Sequence, residues 1–167
     1  MSEASTPPAQ PRIIVHKASG RLDLFDGPQK WRSYACITGT NPGDKQVEGD
    51  RITPLGVFYV VFKNPHSKFH LSLGLNYPNL AHALRGLKSG LLSQPQYQQL
   101  VDDLITGDMS DEAVQNRVWK TPLGGEIFIH GCAEGRTSTA GCVAVSNPDI
   151  TEIYSLVGVG APVEILP

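Results

Sequence analysis

The sequence predicts a mostly β domain with an inserted helical segment. Gly 17 and Pro 13 make up 30 of 167 residues, a density of turn formers that suits short strands better than a helix bundle. Short β-branched and aromatic runs occur in both halves of the chain, as at Ile13-Ile14-Val15, Val57–Phe62 and Pro162–Leu166. Apolar residues at helical spacing concentrate in the middle, over residues 80–120.

Residues 1–11 are rich in Pro, Ser and Ala without periodicity and read as a mobile tail. A single domain is expected over residues 12–167. The strand beginning at Arg12 and the run Arg21–Phe25 read as a hairpin about Ser19-Gly20. Tyr34–Thr38 is the third strand, followed by the turn-rich stretch Gly39–Asp50. Val57–Phe62 and the alternating Phe69–Leu73 follow as a pair. Leu80–Leu87 forms a short helix. Ser93 caps a longer one, with Pro95 in its first turn and Gly107 as its stop; Tyr97, Leu100, Val101 and Leu104 fall at i, i+3, i+4 and i+7. Ser110 caps a third helix through Trp119. Strand patterns return at Glu126–Ile129, Cys142–Val145 and Pro162–Leu166, and Asn147-Pro148 opens a helix that Gly158 ends.

Composition excludes several functions. Fourteen basic and sixteen acidic side chains leave a net charge of -2, so there is no basic surplus to neutralise nucleic-acid phosphates. No apolar run approaches the roughly 18–20 residues that cross a bilayer, so no membrane span is expected. The opening Met1–Pro11 has neither the charged nor the apolar region of a secretory signal. Three cysteines, Cys36, Cys132 and Cys142, are too few for a disulfide scaffold. A cytoplasmic protein is the expectation.

Reactive residues are densest between Ile129 and Val143. A cysteine acyl-transfer site needs a thiolate, an imidazole to take its proton, and backbone N–H groups for the oxyanion. Here His130 ends one apolar strand and Cys142 opens another after a glycine-containing turn. Gly141 leaves the backbone beside the nucleophile unobstructed, so the N–H groups of Gly141 and Cys142 face a carbonyl oxygen. Cys132 is the weaker nucleophile, because no histidine lies between His82 and His130 to serve it from upstream. A metal held by His130, Cys132 and Cys142 lacks both an anchoring ligand pair and a fourth ligand, so neither metal nor cofactor is expected.

Four motifs in order resemble the L,D-transpeptidase (YkuD-type) catalytic domain. They are Thr53-Pro54-Leu55-Gly56 with its following strand, Ile129-His130-Gly131, Thr139-Ala140-Gly141-Cys142-Val143, and Ser146-Asn147-Pro148 leading to Pro162-Val163. The similarity spans most of Arg12–Leu166 and implies a β-sandwich or barrel with Cys142 as nucleophile and His130 as base. Leu73–Asn79 and the helices after it resemble the branch with a Tyr-Pro-Asn insertion. Two departures stand out. Many members have His two residues before the cysteine and Arg two residues after it, whereas this chain has Ala140 and Ala144. His130 is then the base that remains in the cluster, and another cation must hold a substrate carboxylate.

Arg136, between base and nucleophile, is either that clamp or a solvated loop charge. Arg51 is a second candidate. Tyr77 and Asn79 either line the acyl pocket or form a turn. His70 is the histidine outside the cluster most able to reach the cleft, and Asn147 reads as a helix cap. The resemblance implies a muropeptide or peptidoglycan stem peptide as partner and a thioester intermediate. Water as acceptor gives L,D-carboxypeptidation of tetrapeptides during cytoplasmic cell-wall recycling. An amine acceptor gives transpeptidation or D-amino-acid exchange by an exported or delivered enzyme. The plain N-terminus favours the first, and a silent peptidoglycan-binding module is disfavoured by the His130/Cys142 pair.

Overall fold

The computed structural model describes residues 6–167. Of the expected tail, residues 1–5 lie outside the described residues, while Gln10 is already tied to the first hairpin. Its N–H donates to Asp26 Oδ1 at 2.9 Å and its carbonyl accepts from Gly27 at 2.9 Å.

Strands β1 (Pro11–His16) and β2 (Arg21–Asp26) form the expected hairpin, with His16 opposite Arg21. Alternation drives it: Ile13 and Val15 turn into the core, as do Leu22 and Leu24. Strand β3 is Gln29–Ala35, not Tyr34–Thr38. The turn at Gly27, which takes φ 54, lays Gln29 directly against Asp26. Buried Asp23 then draws in the Ser33 hydroxyl at 2.6 Å and the Lys30 ammonium at 3.4 Å. Ile37 instead makes an isolated bridge with Ala144.

Strand β4 (Gly56–Ser67) is twice the length expected, because its two halves serve different neighbours. Gly56–Tyr59 pairs with β8 (Pro162–Leu166), and Val60–Ser67 pairs with β5 (His70–Leu75) through two register irregularities. Such irregularities bend a strand. With β6 at Phe128–His130 and β7 at Val143–Ala144, the eight strands, in the order β3-β2-β1-β8-β4-β5-β6-β7, curl into a half-barrel. The mostly β class with helices is therefore as the sequence predicts.

Three helices occupy the middle of the chain: α1 (Leu80–Lys88), α2 (Gln94–Thr106) and α3 (Glu112–Trp119). The Ser93 hydroxyl accepts from Gln96 N–H, and the Gln96 side chain accepts from Ser93 N–H in return. Asp111 caps α3, not Ser110, whose hydroxyl and N–H both donate to Asp108. These helices close their own apolar cluster around Ala83, Leu100, Val118 and Leu123. The main core lies between the sheet and α4 (Asn147–Leu156), which contributes Ile150 and Ile153. Ser146 caps α4 by accepting from Asp149 N–H, which leaves the Asn147 side chain free for another partner.

The last two strands, β6 (Phe128–His130) and β7 (Val143–Ala144), are short. Glu126 takes φ 56 and so cannot extend β6 backward.

Candidate active site

Strands β6 and β7 run parallel, with Ile129 opposite Val143 and His130 opposite Ala144. Cys142, one residue before β7, therefore sits beside Phe128. The Phe128 N–H donates to Cys142 Sγ at 3.4 Å, and the thiol donates to the Glu126 carbonyl at 3.2 Å. No hydrogen bond joins the His130 ring to the Cys142 sulfur among the described residues. Burial pushes the thiol up to about 11. Cys142 thus rests as a thiol, not as the thiolate that a neighbouring imidazole was expected to maintain.

Two threonines hold the turn that carries Cys142. Thr139 Oγ1 donates to the Cys142 carbonyl at 2.6 Å and accepts from Gly141 N–H at 3.0 Å. Buried Thr53 reaches across 88 positions in sequence to donate to the Gly141 carbonyl at 2.8 Å, and accepts from Gly39 N–H at 2.9 Å. Gly141 takes φ 144, and a Cβ there would meet the Ile52 carbonyl at 3.2 Å, so the turn requires glycine. The expectation that Gly141 offers its N–H to an oxyanion is corrected: that N–H belongs to Thr139. Of the two amides, the Cys142 N–H is the one with no partner among the described residues.

His130 is 2% exposed. Its Nδ1 lies 2.7 Å from the Gly131 carbonyl, an acceptor, so Nδ1 carries the proton and Nε2 of the neutral ring is the basic nitrogen. Burial lowers its pKa, the Gly131 bond opposes this, and the positive charges of Arg136 and Lys68 lower it further. The Phe69 ring stacks on the imidazole at 4.2 Å with 16° between planes.

A cavity of about 300 Å³ opens beside Cys142. Arg51 and the almost wholly buried Lys45 line it, with Glu48 and Glu126. Arg51 donates to Thr40 Oγ1 at 3.0 Å and to the Thr139 carbonyl at 3.4 Å, and forms no ion pair among the described residues. Lys45 is committed to Asp50 at 2.9 Å. A larger cavity of about 560 Å³, between α2 and α3, contains none of the reactive side chains.

The remaining predicted residues part company with the cavity. Tyr77 is corrected from pocket lining to core: it is 0% exposed and its hydroxyl donates to the Leu123 carbonyl at 2.8 Å. Asn79 is corrected likewise, since its side chain caps α1 by accepting from Ala81 and His82 N–H. His70 bonds Thr151 on α4 at 2.9 Å and lies away from Cys142's cavity. Arg136 stands on the His130 side, its guanidinium carbon 5.7 Å from the Phe69 ring centre. Asn147 is not a cap; its Oδ1 accepts from Cys132 N–H at 2.8 Å. The sequence reading gave no role to Lys45, Glu48 or Phe69, and it placed Thr53 and Thr139 only as motif positions. Only the Thr53-Pro54 and Thr139 motif positions carried a local signal.

Among the described residues no group of three His, Cys, Asp or Glu side chains is placed to hold a metal ion. Nor, among the described residues, is any helix long and apolar enough to cross a membrane.

With this geometry in place, the family model for the L,D-transpeptidase catalytic domain (YkuD) matches residues 10–165. The chain belongs to that family. Solved structures agree in fold. The helical cell shape determining protein Pgp2 from Campylobacter jejuni aligns over 93% of this chain and 47% of its own, with a TM-score of 0.62 and 24% identity. Bdellovibrio bacteriovorus Bd1075 aligns over 94% and 48%, with a TM-score of 0.60 and 21% identity. Mycobacterium tuberculosis L,D-transpeptidase 1 aligns over 95% and 62%, with a TM-score of 0.53 and 10% identity. The chain thus spans about half the length of the first two structures. A search of curated proteins finds no match.

Proposed function

We propose that this domain is a cysteine-dependent L,D-carboxypeptidase that removes the terminal D-amino acid from peptidoglycan tetrapeptides. The observation that carries the reading is the pairing of β6 with β7. It brings His130, our proposed base, and Cys142, our proposed nucleophile, to neighbouring strands, and Cys142 lines a cavity whose Arg51 has no anionic partner among the described residues. A guanidinium without an ion pair suits the free carboxylate at a peptide's C-terminus.

The reaction begins with the thiol turning from the Glu126 carbonyl toward His130. Nε2 takes the thiol proton as sulfur bonds to the carbonyl carbon of the diamino acid that precedes the terminal D-residue. The oxyanion accepts from the Cys142 N–H. As the C–N bond breaks, the imidazolium returns the proton to the departing amine, leaving a thioester on Cys142. Water then adds to the thioester, giving its proton to His130, and the thiol is released with a tripeptide.

The setting we propose is cytoplasmic recycling of soluble muropeptides. Three free thiols support it, two of them partly exposed, since such thiols suit a reducing compartment. Cell fractionation checks the location. A second reading, transpeptidation or D-amino-acid exchange, is favoured by the likeness to the Mycobacterium tuberculosis L,D-transpeptidase 1 fold.

Purified tetrapeptide is incubated with and without an added D-amino acid, and the products are weighed. Tripeptide as the main product in both arms, lost in Cys142→Ala, is the expected result. Exchange product dominating the second arm overturns the preference for hydrolysis. Turnover unchanged in Cys142→Ala overturns the cysteine mechanism.

A further inference from the structure

The turn between β4 and β5 folds over the base. Its tip is pinned from within: the Phe69 N–H donates to Ser67 Oγ at 3.1 Å, and Ser72 Oγ donates to the same Ser67 oxygen at 2.6 Å. Ser72 is the β5 residue paired with His130. The turn and the base are therefore parts of one hydrogen-bonded unit.

Phe69 touches His130 in two ways. Its ring stacks on the imidazole. Its carbonyl accepts from Gly131 N–H at 3.1 Å, and the Gly131 carbonyl in turn holds His130 Nδ1–H. From the other side Asn147 Oδ1 accepts from Cys132 N–H, while the Asn147 N–H donates to Glu134 at 2.7 Å. Cys132 sits at φ 61, a conformation that a non-glycine residue keeps only under outside restraint. A Cβ at Gly131 would approach Asn147 Oδ1 to 2.5 Å and the Phe69 carbonyl to 2.9 Å. Gly131, whose carbonyl selects the tautomer of the base, is thus held at its own N–H by Phe69 and at the next N–H by Asn147.

We propose that Phe69 and Asn147 are positioning residues for His130. Phe69 fixes the plane of the ring and the height of the Gly131 peptide, and Asn147 stops that peptide from turning its carbonyl away. Together they keep the proton on Nδ1 and leave Nε2 as the basic nitrogen. Neither residue has a place in the proposed cavity, and neither exchanges a proton. Arg136 and Lys68 complete the stack, with cations 5.7 and 5.1 Å from the Phe69 ring centre. They are the charged groups that face His130. β5 presents the non-titrating Ser72 and β7 the non-titrating Ala144, with Cys142 just before it.

Removing the Phe69 ring lets water reach the imidazole, so His130 should protonate at higher pH than in the parent. The inference rests on His130 acting as the base of the proposed peptidase, so the test includes readouts that need no substrate. The His130 titration is followed by NMR, and Cys142 alkylation by iodoacetamide is timed, in Phe69→Ala, Phe69→Leu, Phe69→Tyr, Asn147→Ala and Asn147→Asp. Tetrapeptide kinetics are measured alongside.

The expected result for Phe69→Ala and Phe69→Leu is an upward shift of the His130 titration. Their kcat should fall about 10–100-fold with KM nearly unchanged, and the acid limb of the rate profile should move to higher pH. Phe69→Tyr, which keeps the stacked face, should stay within about threefold of the parent. Asn147→Ala should lower kcat, and Asn147→Asp, which keeps the acceptor, should recover most of it. An unmoved His130 titration in a folded Phe69→Leu overturns the proposal, as does parent-like kcat in Asn147→Ala. If Phe69→Ala does not fold, Phe69→Leu decides. A shifted titration in a protein that never cleaves tetrapeptide leaves the positioning role standing and removes the peptidase reading instead.

Discussion

The Cys142 sulfur gives its proton to a backbone carbonyl and receives a backbone N–H, and burial raises its pKa to about 11. His130 is kept neutral by burial and by two cations. At neutral pH both groups are therefore uncharged, and in the mechanism we propose proton transfer belongs to the reaction, not to the resting state. This separates the site from one that stores a thiolate–imidazolium pair. Iodoacetamide alkylation of Cys142 should accordingly be slow at pH 7 and rise about tenfold per pH unit toward 11, since the thiolate fraction grows in that proportion below the pKa. Mass spectrometry of the labelled peptide measures it. A rate that levels off below pH 8 would show a preformed thiolate.

The strand that ends on His130 and the strand that follows Cys142 are short, three and two residues long. They gain their precision from side chains that bond distant backbone. Thr53 joins the stretch after β3 to the nucleophile turn, and Thr139 closes that turn on itself. Thr53→Val preserves the shape but leaves the Gly39 N–H and the Gly141 carbonyl unpaired in a buried place. We expect a stability loss of about 1–3 kcal/mol, measured by urea unfolding. We also expect a lower kcat with little change in KM, because the turn that carries Cys142 is loosened. A variant as stable and active as the parent would mean that the clamp carries no weight. The elements themselves were largely legible in the sequence. The alternation of β1 and the Ser93–Gln96 box are local patterns, read within a few residues. The error at β3 was a local one: the tight turn at Gly27 brings the chain back so that Gln29 pairs with Asp26.

At the scale of the molecule, the half-barrel and the helical segment keep separate apolar clusters. Tyr77 lies where they meet, wholly buried among Phe58 and His82 with its hydroxyl on the Leu123 carbonyl. Its role is to join the two bodies. Tyr77→Phe should cost about 1 kcal/mol in thermal or urea unfolding. It should leave kcat and KM for tetrapeptide within about twofold of the parent, as expected of a substitution that removes one buried hydrogen bond outside the cavity. A large rise in KM would return Tyr77 to the substrate pocket.

The sequence by itself determined the fold class and most strands and helices, and it singled out the two residues that we propose as base and nucleophile. Each is written in short-range terms: a period of two or of 3.6, a cap, a turn former, or a histidine and a cysteine at the ends of apolar runs. Only the tertiary structure decided which polar groups were already spent. It gave the Gly141 N–H to Thr139, the Tyr77 hydroxyl to Leu123 and the Asn79 side chain to α1, and it brought Phe69 over His130. The physical reason is that a hydrogen-bonding group has few partners to choose from locally and many across the fold. Thr53 and Gly141 are 88 positions apart, and no period in the chain announces that they meet.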